Sequence, residues 1–483
     1  MNQPELLLNF IGGRWTPSAA TAHLDVYNPA SGEVIARTPL STGADVDRAV
    51  QAAAAAFPAW SETPPVIRAR TMFAFKQQLE EHFEELARLV TTEHGKTLDE
   101  SRGSVRRAIE CVEVACGGPS MLMGYGLENI AAGIDCTVMR QPIGLCAAIA
   151  PFNFPAMVPL WFLPFAVVCG NTFVLKPSEQ VPLSQRRMFQ LLDKCGLPPG
   201  VVNLVNGGKE VAEAICDHPG IRAVSFVGST AVARLVYQRG THAGKRVQAL
   251  GGAKNFIIVM PDADLDRAMP IITESFYGCA GERCLAGSVL LPVGPSHKEV
   301  RDRMVASAES LKVGNGLEPG VEMGPVITAR HRERVLSYVE KGVAEGAKLV
   351  ADGRSRKVPS EGFFVGPSVF DQVSPSMSIG REEIFGPVAT VCPVKDLDEA
   401  FGVMYAHPNA NATSIFTSSG KAAREFVHRA TASMVGVNIG VAAPMAYFPF
   451  GGARDSFFGD LKVHGRDAFE FYTDKKVTIS RWF

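Results

Sequence analysis

One cysteine lies in a segment of small residues where a thiol could react with a substrate. Cys284 belongs to the sequence GERCLA at 281–286, between a predicted helix and a predicted strand. The adjacent Arg283 is expected to lower the pKa of the thiol and to favour the nucleophilic thiolate. Taken alone, the segment is more typical of a buried structural cysteine. Cys284 is therefore a candidate nucleophile whose role depends on the neighbouring motifs.

A second candidate is an amide in a proline-flanked turn, PFNFP at 151–155. Asn153 follows a predicted strand, and its side chain could donate to an oxyanion that forms in a reaction. Ligands of α/β sheets bind at such carboxyl ends of strands. An asparagine that only forms the turn is the alternative, and the motif alone favours it.

Lys176 and Glu179 follow the next predicted strand, in KPSE at 176–179. Together they can hydrogen-bond the two hydroxyls of a ribose, and the glutamate would repel a 2′-phosphate. A solvated loop with an acid at a helix start explains the same residues equally well.

Two further segments could contact a dinucleotide. FVGST at 226–230 is a strand that leads into a helix start, where the backbone amides near Gly228 and Ser229 could face a pyrophosphate. In EEIFGP at 382–387, Glu383 could hold a second ribose and Phe385 could flank a nicotinamide. Each segment alone is weak evidence for a site.

The elements that must position these residues alternate along the chain. Helical periodicity at 44–59, 66–92 and 97–116 comes first. The later apolar runs are separated by stretches of helix length, which predicts βαβ units and a parallel sheet. These runs are Cys146–Ala150, Thr172–Leu175, Val201–Val205 and Ala223–Val227.

A second α/β region is predicted from Asn255 to about Asn438, with strands near 256–260 and 288–292. Residues 117–135 are glycine-rich and weakly patterned, and we expect an excursion there before a strand at 136–140. The tail at 469–482 alternates apolar residues and predicts an edge strand that pairs with another region or with another subunit.

Composition excludes several classes of protein. The chain has 483 residues and a formal net charge of −1, which argues against a nucleic-acid partner. The ten cysteines show neither a disulfide framework nor zinc spacing, so we predict no metal and a reducing, cytoplasmic location. Met1 to Phe10 lacks the basic start of a signal peptide. The uncharged stretch 143–175 is interrupted by prolines, so we predict buried strands and a helix, and no membrane association.

In order, these motifs resemble the aldehyde dehydrogenase superfamily over essentially the whole chain. PFNFP, KPSE, FVGST, LGG at 250–252, the GERC cysteine, EEIFGPV and PFGG at 449–452 occur in the order of that family. The resemblance implies an α/β fold with a Rossmann-like NAD-binding domain, an α/β catalytic domain and a small β oligomerisation element. The implied bounds are 1–118 with 140–250, then 251–440, and 119–139 with 455–483.

The resemblance also implies residue roles. Cys284 is the nucleophile of an NAD-dependent dehydrogenase that oxidises a small aldehyde, and Asn153 is the oxyanion donor. The protein is expected to be a homodimer or homotetramer built partly through the tail. The residues implied to contact NAD are Phe152, Lys176, Glu179, Gly228, Ser229, Leu250, Glu383 and Phe385.

One departure from the superfamily bears on the product. Most hydrolytic members carry a glutamate before Leu-Gly-Gly as the base that activates water, and here that residue is Ala249. Alanine cannot accept a proton. A thiol acceptor needs no such base, since a thiolate is already a strong nucleophile. The substitution points to coenzyme A as the acceptor and to an acyl-CoA product.

The chain also resembles the CoA-acylating methylmalonate-semialdehyde dehydrogenase subfamily, in 151–173, in RVQALGGAKN at 246–255 and in ICDHP at 215–219. In that subfamily two arginines hold the substrate carboxylate, and they fall at Arg107 and Arg283. The expected reaction converts malonate or methylmalonate semialdehyde to acetyl-CoA or propionyl-CoA with release of CO2. A helix-surface pair of Arg107 with Glu110 is the alternative. Glu282, where the subfamily commonly has glutamine, would weaken a carboxylate pocket unless it points away or pairs with a cation.

Three alternative functions remain open at this point. The first is a hydrolytic aldehyde dehydrogenase in which another group activates water. The second is a thiol hydrolase or acyltransferase that uses Cys284 with one of the ten histidines. The third is a non-catalytic binding or structural protein.

Overall fold

The computed structural model describes residues 4–483. Residues 1–3, with which the predicted first domain and the Met1–Phe10 segment begin, lie outside the described residues. The strands are β1 Asn9–Ile11, β2 Arg14–Thr16, β3 His23–Tyr27, β4 Val34–Pro39, β5 Tyr125–Ala131, β6 Ile134–Pro142, β7 Leu145–Ile149, β8 Thr172–Lys176, β9 Val202–Leu204, β10 Ile221–Val227, β11 Arg246–Leu250, β12 Asn255–Val259, β13 Gly287–Pro292, β14 Lys348–Ala351, β15 Ser368–Asp371, β16 Val388–Val391, β17 Asn409–Ala410, β18 Ala412–Phe416, β19 Met434–Val437, β20 Ala453–Arg454, β21 Phe457–Phe458 and β22 Thr473–Arg481.

The helices include five short ones of four to seven residues beside the longer ones. They are α1 Gly43–Glu62, α2 Pro65–Glu81, α3 Phe83–His94, α4 Leu98–Cys116, α5 Gly118–Met121, α6 Met157–Leu160, α7 Leu163–Val168, α8 Leu183–Leu192, α9 Lys209–Asp217, α10 Thr230–His242, α11 Leu265–Tyr277, α12 His297–Ser310, α13 Ala329–Ala344, α14 Ser378–Arg381, α15 Leu397–Ala406, α16 Gly420–Arg429 and α17 Gly465–Phe471.

An eight-stranded sheet contains the four apolar runs of the first α/β region. Its order is β2-β1-β9-β8-β7-β10-β11-β21, and β7 to β11 pair in parallel. The central strands β7 and β8 are buried along their whole length, which is why their sequences are continuous apolar runs. Their carboxyl ends therefore present the PFNFP and KPSE segments at one edge of the sheet.

A seven-stranded sheet carries the second region, in the order β14-β15-β16-β13-β12-β18-β19. It is parallel except for the edge pair β14–β15. The loop that contains Cys284 leads into β13, the central strand of this sheet. The two-sheet α/β architecture expected from the sequence is confirmed.

A separate three-stranded sheet, β22-β6-β5, joins the tail to residues 125–142. The tail strand pairs with β6 antiparallel from Thr473 to Arg481. The sequence predicted one strand at 136–140, whereas the structure has two: β5, which the glycine-rich composition hid, and the longer β6. Every residue of β5 is exposed, so no alternation of buried and exposed residues marked it in the sequence.

The periodic segment 66–92 forms two helices rather than one, with the break at His82. The next helix, α4, begins at a capping box in which Thr97 and Glu100 exchange hydrogen bonds. This box fixes the start of the helix that carries Arg107 toward Cys284.

The uncharged stretch 143–175 folds as β7, α6, α7 and most of β8, as its prolines predicted. Between residues 4 and 483, no helix is both long and apolar enough to cross a membrane.

Candidate active site

Cys284 lies where two cavities meet. One, of about 660 Å³, runs along the carboxyl ends of the eight-stranded sheet. The other, of about 420 Å³, lies between α4, α11 and the segment 441–450. We call them the sheet-edge cavity and the arginine cavity. Cys284 lines both cavities and therefore lies at their junction.

The loop before Cys284 has a tightly constrained backbone. Cys279, Ala280 and Gly281 all adopt positive φ, at 50°, 52° and 76°, a conformation that L-residues other than asparagine and aspartate rarely adopt. Such strain persists only where the surroundings enforce it. The amide groups of Asn255 and Asn411 both donate to the Cys284 carbonyl, at 2.9 and 2.8 Å, and hold the nucleophile in place.

The Cys284 thiol is not activated by its neighbour in the way the sequence suggested. Burial and the nearby Glu383 raise the pKa of the thiol to about 12, and Arg283 lowers it by less. The Arg283 guanidinium instead contacts the sulfur of Cys279, at 3.2 Å. Arg283 does lower the pKa of Cys284, as expected, but desolvation of the sulfur outweighs the cation and the thiol stays neutral in the protein alone.

Asn153 is buried beside Cys284. Its side-chain amide donates to the Glu282 backbone carbonyl at 3.0 Å, and the backbone carbonyl of Asn153 accepts from the Lys96 ammonium at 2.6 Å. An amide has two N–H donors, so one N–H fixes the side chain and the other can serve a ligand. Lys96 also lies over the Phe154 ring, 3.8 Å from its centroid, and thereby holds the PFNFP turn.

The sheet-edge cavity brings together seven of the eight residues implied to contact NAD. Lys176 and Glu179 line it and form an ion pair at 2.9 Å. Gly228 and Ser229 line it at the start of α10, where no side chain caps the first turn of the helix. Uncapped helix N–H groups attract phosphate oxygens.

The eighth residue, Leu250, lies elsewhere. It is packed in the hydrophobic core at the end of β11, and its carbonyl accepts the Gly228 N–H at 3.1 Å. Its neighbours Gly251 and Gly252 line the cavity instead. In the LGG motif the two glycines thus contribute backbone to the cavity wall. The leucine side chain packs in the core and anchors the turn.

Three residues enclose the inner end of the sheet-edge cavity. Glu383 accepts the Ala253 N–H at 3.0 Å, and burial raises the pKa of its carboxyl to about 7. Phe385 has a positive φ of 61°, and its ring meets that of Phe152 edge-on with centroids 5.8 Å apart. Its carbonyl contacts His331 at 2.7 Å, which maintains this unusual conformation.

The arginine cavity contains both residues implied to hold a substrate carboxylate. Arg283 and Arg107 line it together with Cys284. The remaining wall is largely apolar and aromatic. It includes Phe154, Met157, Trp161, Leu285, Val441 and Phe450.

Arg283 is held by anionic partners. It contacts Glu274 at 2.7 Å and Glu100 at 3.2 Å. Its guanidinium lies directly on Gly278, where an added Cβ would be 2.5 Å from Cζ and 2.6 Å from each terminal nitrogen. Gly278 therefore makes the space in which the guanidinium sits.

Arg107 forms the helix pair with Glu110 that the sequence left as an alternative, at 2.9 Å. It also donates to the carbonyls of Ala443 and Pro444, and so ties α4 to the segment 441–450. Arg107 can pair with Glu110 and also line the arginine cavity, because Nη1 of the guanidinium contacts Glu110 and Nη2 contacts the two carbonyls.

Glu282 points away from the arginine cavity. Its carboxyl is fully buried and accepts the Ile327 N–H at 3.2 Å, with His331 at 3.4 Å and His94 at 3.8 Å. Burial raises the pKa of this carboxyl well above its usual value, so the neutral form is favoured. The extra acid noted in the sequence therefore does not enter the pocket of the two arginines.

Several site residues went unnoticed in the sequence. Glu100 could have been found from the Thr-x-x-Glu capping signature, which places it at a defined helix start. Asn255 follows LGGAK. Its only signal in the sequence was a polar residue at the start of an apolar strand. Lys96, Glu274 and Asn411 had no local signature, because only the tertiary fold brings them to Cys284.

Comparisons with known proteins find relatives over nearly the full length of the chain. The family model described as "Aldehyde dehydrogenase family" matches residues 15–478. A malonate-semialdehyde dehydrogenase of Geobacillus kaustophilus is 50% identical over 485 residues, covering 100% of this chain and 99% of that relative.

Two solved structures are similar over nearly their full lengths. One, from Sinorhizobium meliloti, is described as an inferred methylmalonate-semialdehyde dehydrogenase in complex with NAD. It has a TM-score of 0.98 and 43% identity, and covers 100% of this chain and 99% of that one. The other, a methylmalonate-semialdehyde dehydrogenase from Oceanimonas doudoroffii, has a TM-score of 0.97 and 46% identity, covering 99% and 98%.

Proposed function

This chain belongs to the aldehyde dehydrogenase family, and from that premise we propose that it is a CoA-acylating, NAD-dependent semialdehyde dehydrogenase. Its substrate is malonate semialdehyde or methylmalonate semialdehyde. The products are acetyl-CoA or propionyl-CoA, CO2 and NADH. The substrate class is that named for relatives 50% identical over the whole chain.

The observation that carries the proposal is the meeting of two unlike cavities at one thiol. The sheet-edge cavity offers a Lys–Glu pair and an uncapped helix start. The arginine cavity offers two guanidiniums, and a guanidinium fork matches a carboxylate. An aldehyde that carries a carboxylate can therefore enter opposite the cofactor, with its carbonyl at Cys284.

The residues of the sheet-edge cavity fit NAD. Lys176 and Glu179 would hold the adenosine ribose, and the Glu179 carboxylate disfavours a 2′-phosphate there. Gly228 and Ser229 would face the pyrophosphate, and Glu383 the nicotinamide ribose, with Phe152 and Phe385 beside the ring. When bound, NAD supplies the acceptor for the hydride.

In the proposed reaction the Cys284 sulfur attacks the aldehyde carbon and forms a thiohemiacetal. The free N–H of Asn153 and the backbone N–H of Cys284 stabilise the oxyanion. Loss of hydride leaves a thioester on Cys284. Burial keeps the thiol neutral in the free protein, so its proton must leave as the substrate binds. Glu383 shares the cavity, and its pKa near 7 suits it to accept that proton.

The second half of the reaction releases the acyl group. The carboxylate β to the thioester carbonyl leaves as CO2, because the carbanion that remains is stabilised as an enolate and then takes up a proton. The CoA thiolate attacks the thioester and frees Cys284. Ala249, where hydrolytic relatives have a base, cannot activate water, and this favours CoA over water as the acceptor.

A hydrolytic dehydrogenase is the second candidate, and Glu383 is the residue that favours it. A half-buried carboxyl with a pKa of about 7 beside Cys284 could activate water. Product analysis separates the two functions. We expect acyl-CoA with CoA present and very slow turnover without it, whereas free acid formed at full rate without CoA would establish hydrolysis.

We propose that residues 1–118 and 140–250 form the NAD-binding domain, 251–440 the catalytic domain, and 119–139 with 455–483 an oligomerisation element. The exposed apolar side chains of the three-stranded sheet support the last of these. They include Tyr125, Leu127, Val477 and Ile479. Replacing Val477 and Ile479 with lysine should lower the mass of a dimer or tetramer in sedimentation analysis, and an unchanged mass would contradict this assignment.

A further inference from the structure

Arg283 is surrounded by anionic and polarisable groups before any substrate arrives. Its Nε donates to the Cys279 sulfur, Nη1 to Glu274 and Nη2 to Glu100. A carboxylate that binds a guanidinium side-on needs two N–H groups that point the same way. Two carboxylates already neutralise this cation, so a third would meet net repulsion. A substrate carboxylate must therefore replace one of them.

The two resident carboxylates differ in how firmly they are held. Glu100 has a side chain only 13% exposed and also accepts the backbone N–H groups of Cys279, at 2.6 Å, and Thr97, at 2.8 Å. Releasing it would leave two backbone donors without their partner, which costs free energy in a buried site. Glu100 is thus part of the framework of the site.

Glu274 is the displaceable one. Its side chain is 63% exposed, and within residues 4–483 its carboxylate makes a single hydrogen bond, to Arg283. It stands at the end of α11 and lines the arginine cavity together with Cys284. An exposed carboxylate that leaves a guanidinium is resolvated by water, so its departure costs little.

We propose that Glu274 occupies the position of the substrate carboxylate on Arg283, and that it sets how strongly the enzyme discriminates carboxylated from uncharged aldehydes. This inference rests on the proposed function. Glu274 swings outward when a substrate carboxylate takes over Nη1, and returns when the acid has left as CO2. Because Glu100 stays in place, the exchange keeps two carboxylates on Arg283 throughout, and the competition from Glu274 weakens binding of the carboxylated substrate.

The test compares Glu274→Gln with Asp266→Asn by steady-state kinetics on malonate semialdehyde and propanal. Asp266 is a matched control, since it lies on the same helix and pairs at 2.6 Å with Arg303 on the surface. We expect Glu274→Gln to lower KM for malonate semialdehyde about two- to fivefold, the range of an exposed ion pair. KM for propanal should not change, and Asp266→Asn should alter neither value. Glu274→Asp should act in the same direction, because the shorter side chain withdraws from Nη1 but keeps its charge.

The same change in an Arg283→Leu background distinguishes competition from a general charge effect. If Glu274 acts through Arg283, its substitution has no further effect there, and the two changes are non-additive. An equal fall in KM in that background, or no fall in the parent enzyme, would overturn the proposal and leave the proposed function standing. If the parent and Arg283→Leu enzymes both handled the two aldehydes alike, the proposed substrate class would fail and the proposal with it.

Discussion

The two cavities that meet at Cys284 are built in different ways. The sheet-edge cavity is formed by turns at the ends of parallel strands, and much of its wall is backbone around Gly228, Gly251 and Gly252. The arginine cavity is formed by side chains of two helices and the segment 441–450, joined by ion pairs. A wall made of backbone suits the binding of one cofactor. A wall made of side chains allows substrate preference to be altered by single substitutions that leave the sheet unchanged.

Removing the group that both cavities share should have the largest effect. Cys284→Ala should reduce NADH formation with malonate semialdehyde about 10⁴-fold or more, as removal of a covalent nucleophile does. Binding of NAD, followed by fluorescence titration, should persist because the sheet-edge residues are untouched. Cys279→Ala is the matched control and should retain substantial activity. Comparable activity in Cys284→Ala would exclude the thioester mechanism.

The rate at which the Cys284 thiol reacts with an alkylating reagent reports its pKa. That pKa is raised by burial and by Glu383, which lines the sheet-edge cavity. A shift from 9.0 to about 12 reduces the thiolate fraction at neutral pH about 1000-fold. Iodoacetamide should therefore label Cys284 slowly at pH 7 and faster as the pH rises. NAD should accelerate labelling, because a cationic ring near the sulfur favours the thiolate.

Peptide mass spectrometry measures this labelling directly, with Cys136 as the reference thiol in the same sample. Cys136 is half-buried in the three-stranded sheet, away from both cavities. Fast labelling of Cys284 at pH 7 without NAD would mean that the arginine cavity, through Arg283, activates the sulfur after all.

Changes in the arginine cavity should alter substrate preference and leave the cofactor side intact. Arg283→Leu should lower kcat/KM for malonate semialdehyde about 10- to 100-fold, the cost of a lost charge-assisted hydrogen bond. Propanal should be affected much less. Arg107→Leu should act in the same direction, and a preference that survived it would remove Arg107 from the carboxylate site.

Gly278→Ala tests the same position without removing a charge. The new Cβ would lie within 2.6 Å of three guanidinium atoms of Arg283, so the fork must shift. We expect a rise in KM for malonate semialdehyde several-fold, smaller than in Arg283→Leu, and an unchanged Kd for NAD. An unchanged KM would show that the position of the guanidinium does not matter for binding.

The smallest effect concerns stability on the cofactor side. Burial raises the pKa of Glu383 to about 7, above its value in the unfolded chain. The folded state therefore loses stability as the pH rises from the unfolded pKa through 7, on the order of 2 kcal/mol for a half-buried group. Glu383→Gln should raise Tm relative to the parent at pH 8, and less at pH 5.

The adjacent Glu382 gives a control of opposite sign. A hydrogen bond from Tyr338 lowers the pKa of its carboxyl, so it contributes stability above its unfolded pKa that is lost in acid. Glu382→Gln should lower Tm at pH 8, and the difference should vanish as the pH falls. The same sign in both variants would contradict the proposed electrostatics of Glu383.

The same contrast explains how far the sequence could predict the site. Turns after buried strands have local signatures, so Asn153, Lys176, Glu179 and Gly228 could be placed at one sheet edge. The ionic wall of the arginine cavity joins Glu100, Glu274 and Arg283 across as many as 183 residues, and no local pattern encodes that meeting. The contact of Leu250 with NAD stays a prediction: its side chain is buried at the end of β11, and the glycines after it line the cavity.

The fold was predictable where burial left a periodic pattern. β7, β8 and β10 are apolar runs because both faces of the sheet are covered. β5 was missed because all of it is exposed, and the break at His82 because the helical pattern continues on both sides of it. The activation of Cys284 was misjudged because sequence adjacency of Arg283 says nothing about desolvation.

The fate of the acyl group on Cys284 tests the central claim most directly. The enzyme is mixed with NAD and malonate semialdehyde in the absence of CoA, and NADH and the intact protein mass are followed together. We predict one equivalent of NADH per active site, a malonyl or acetyl adduct on Cys284, and its conversion to acetyl-CoA when CoA is added. Continuous NADH formation with free acid and no adduct would contradict the account.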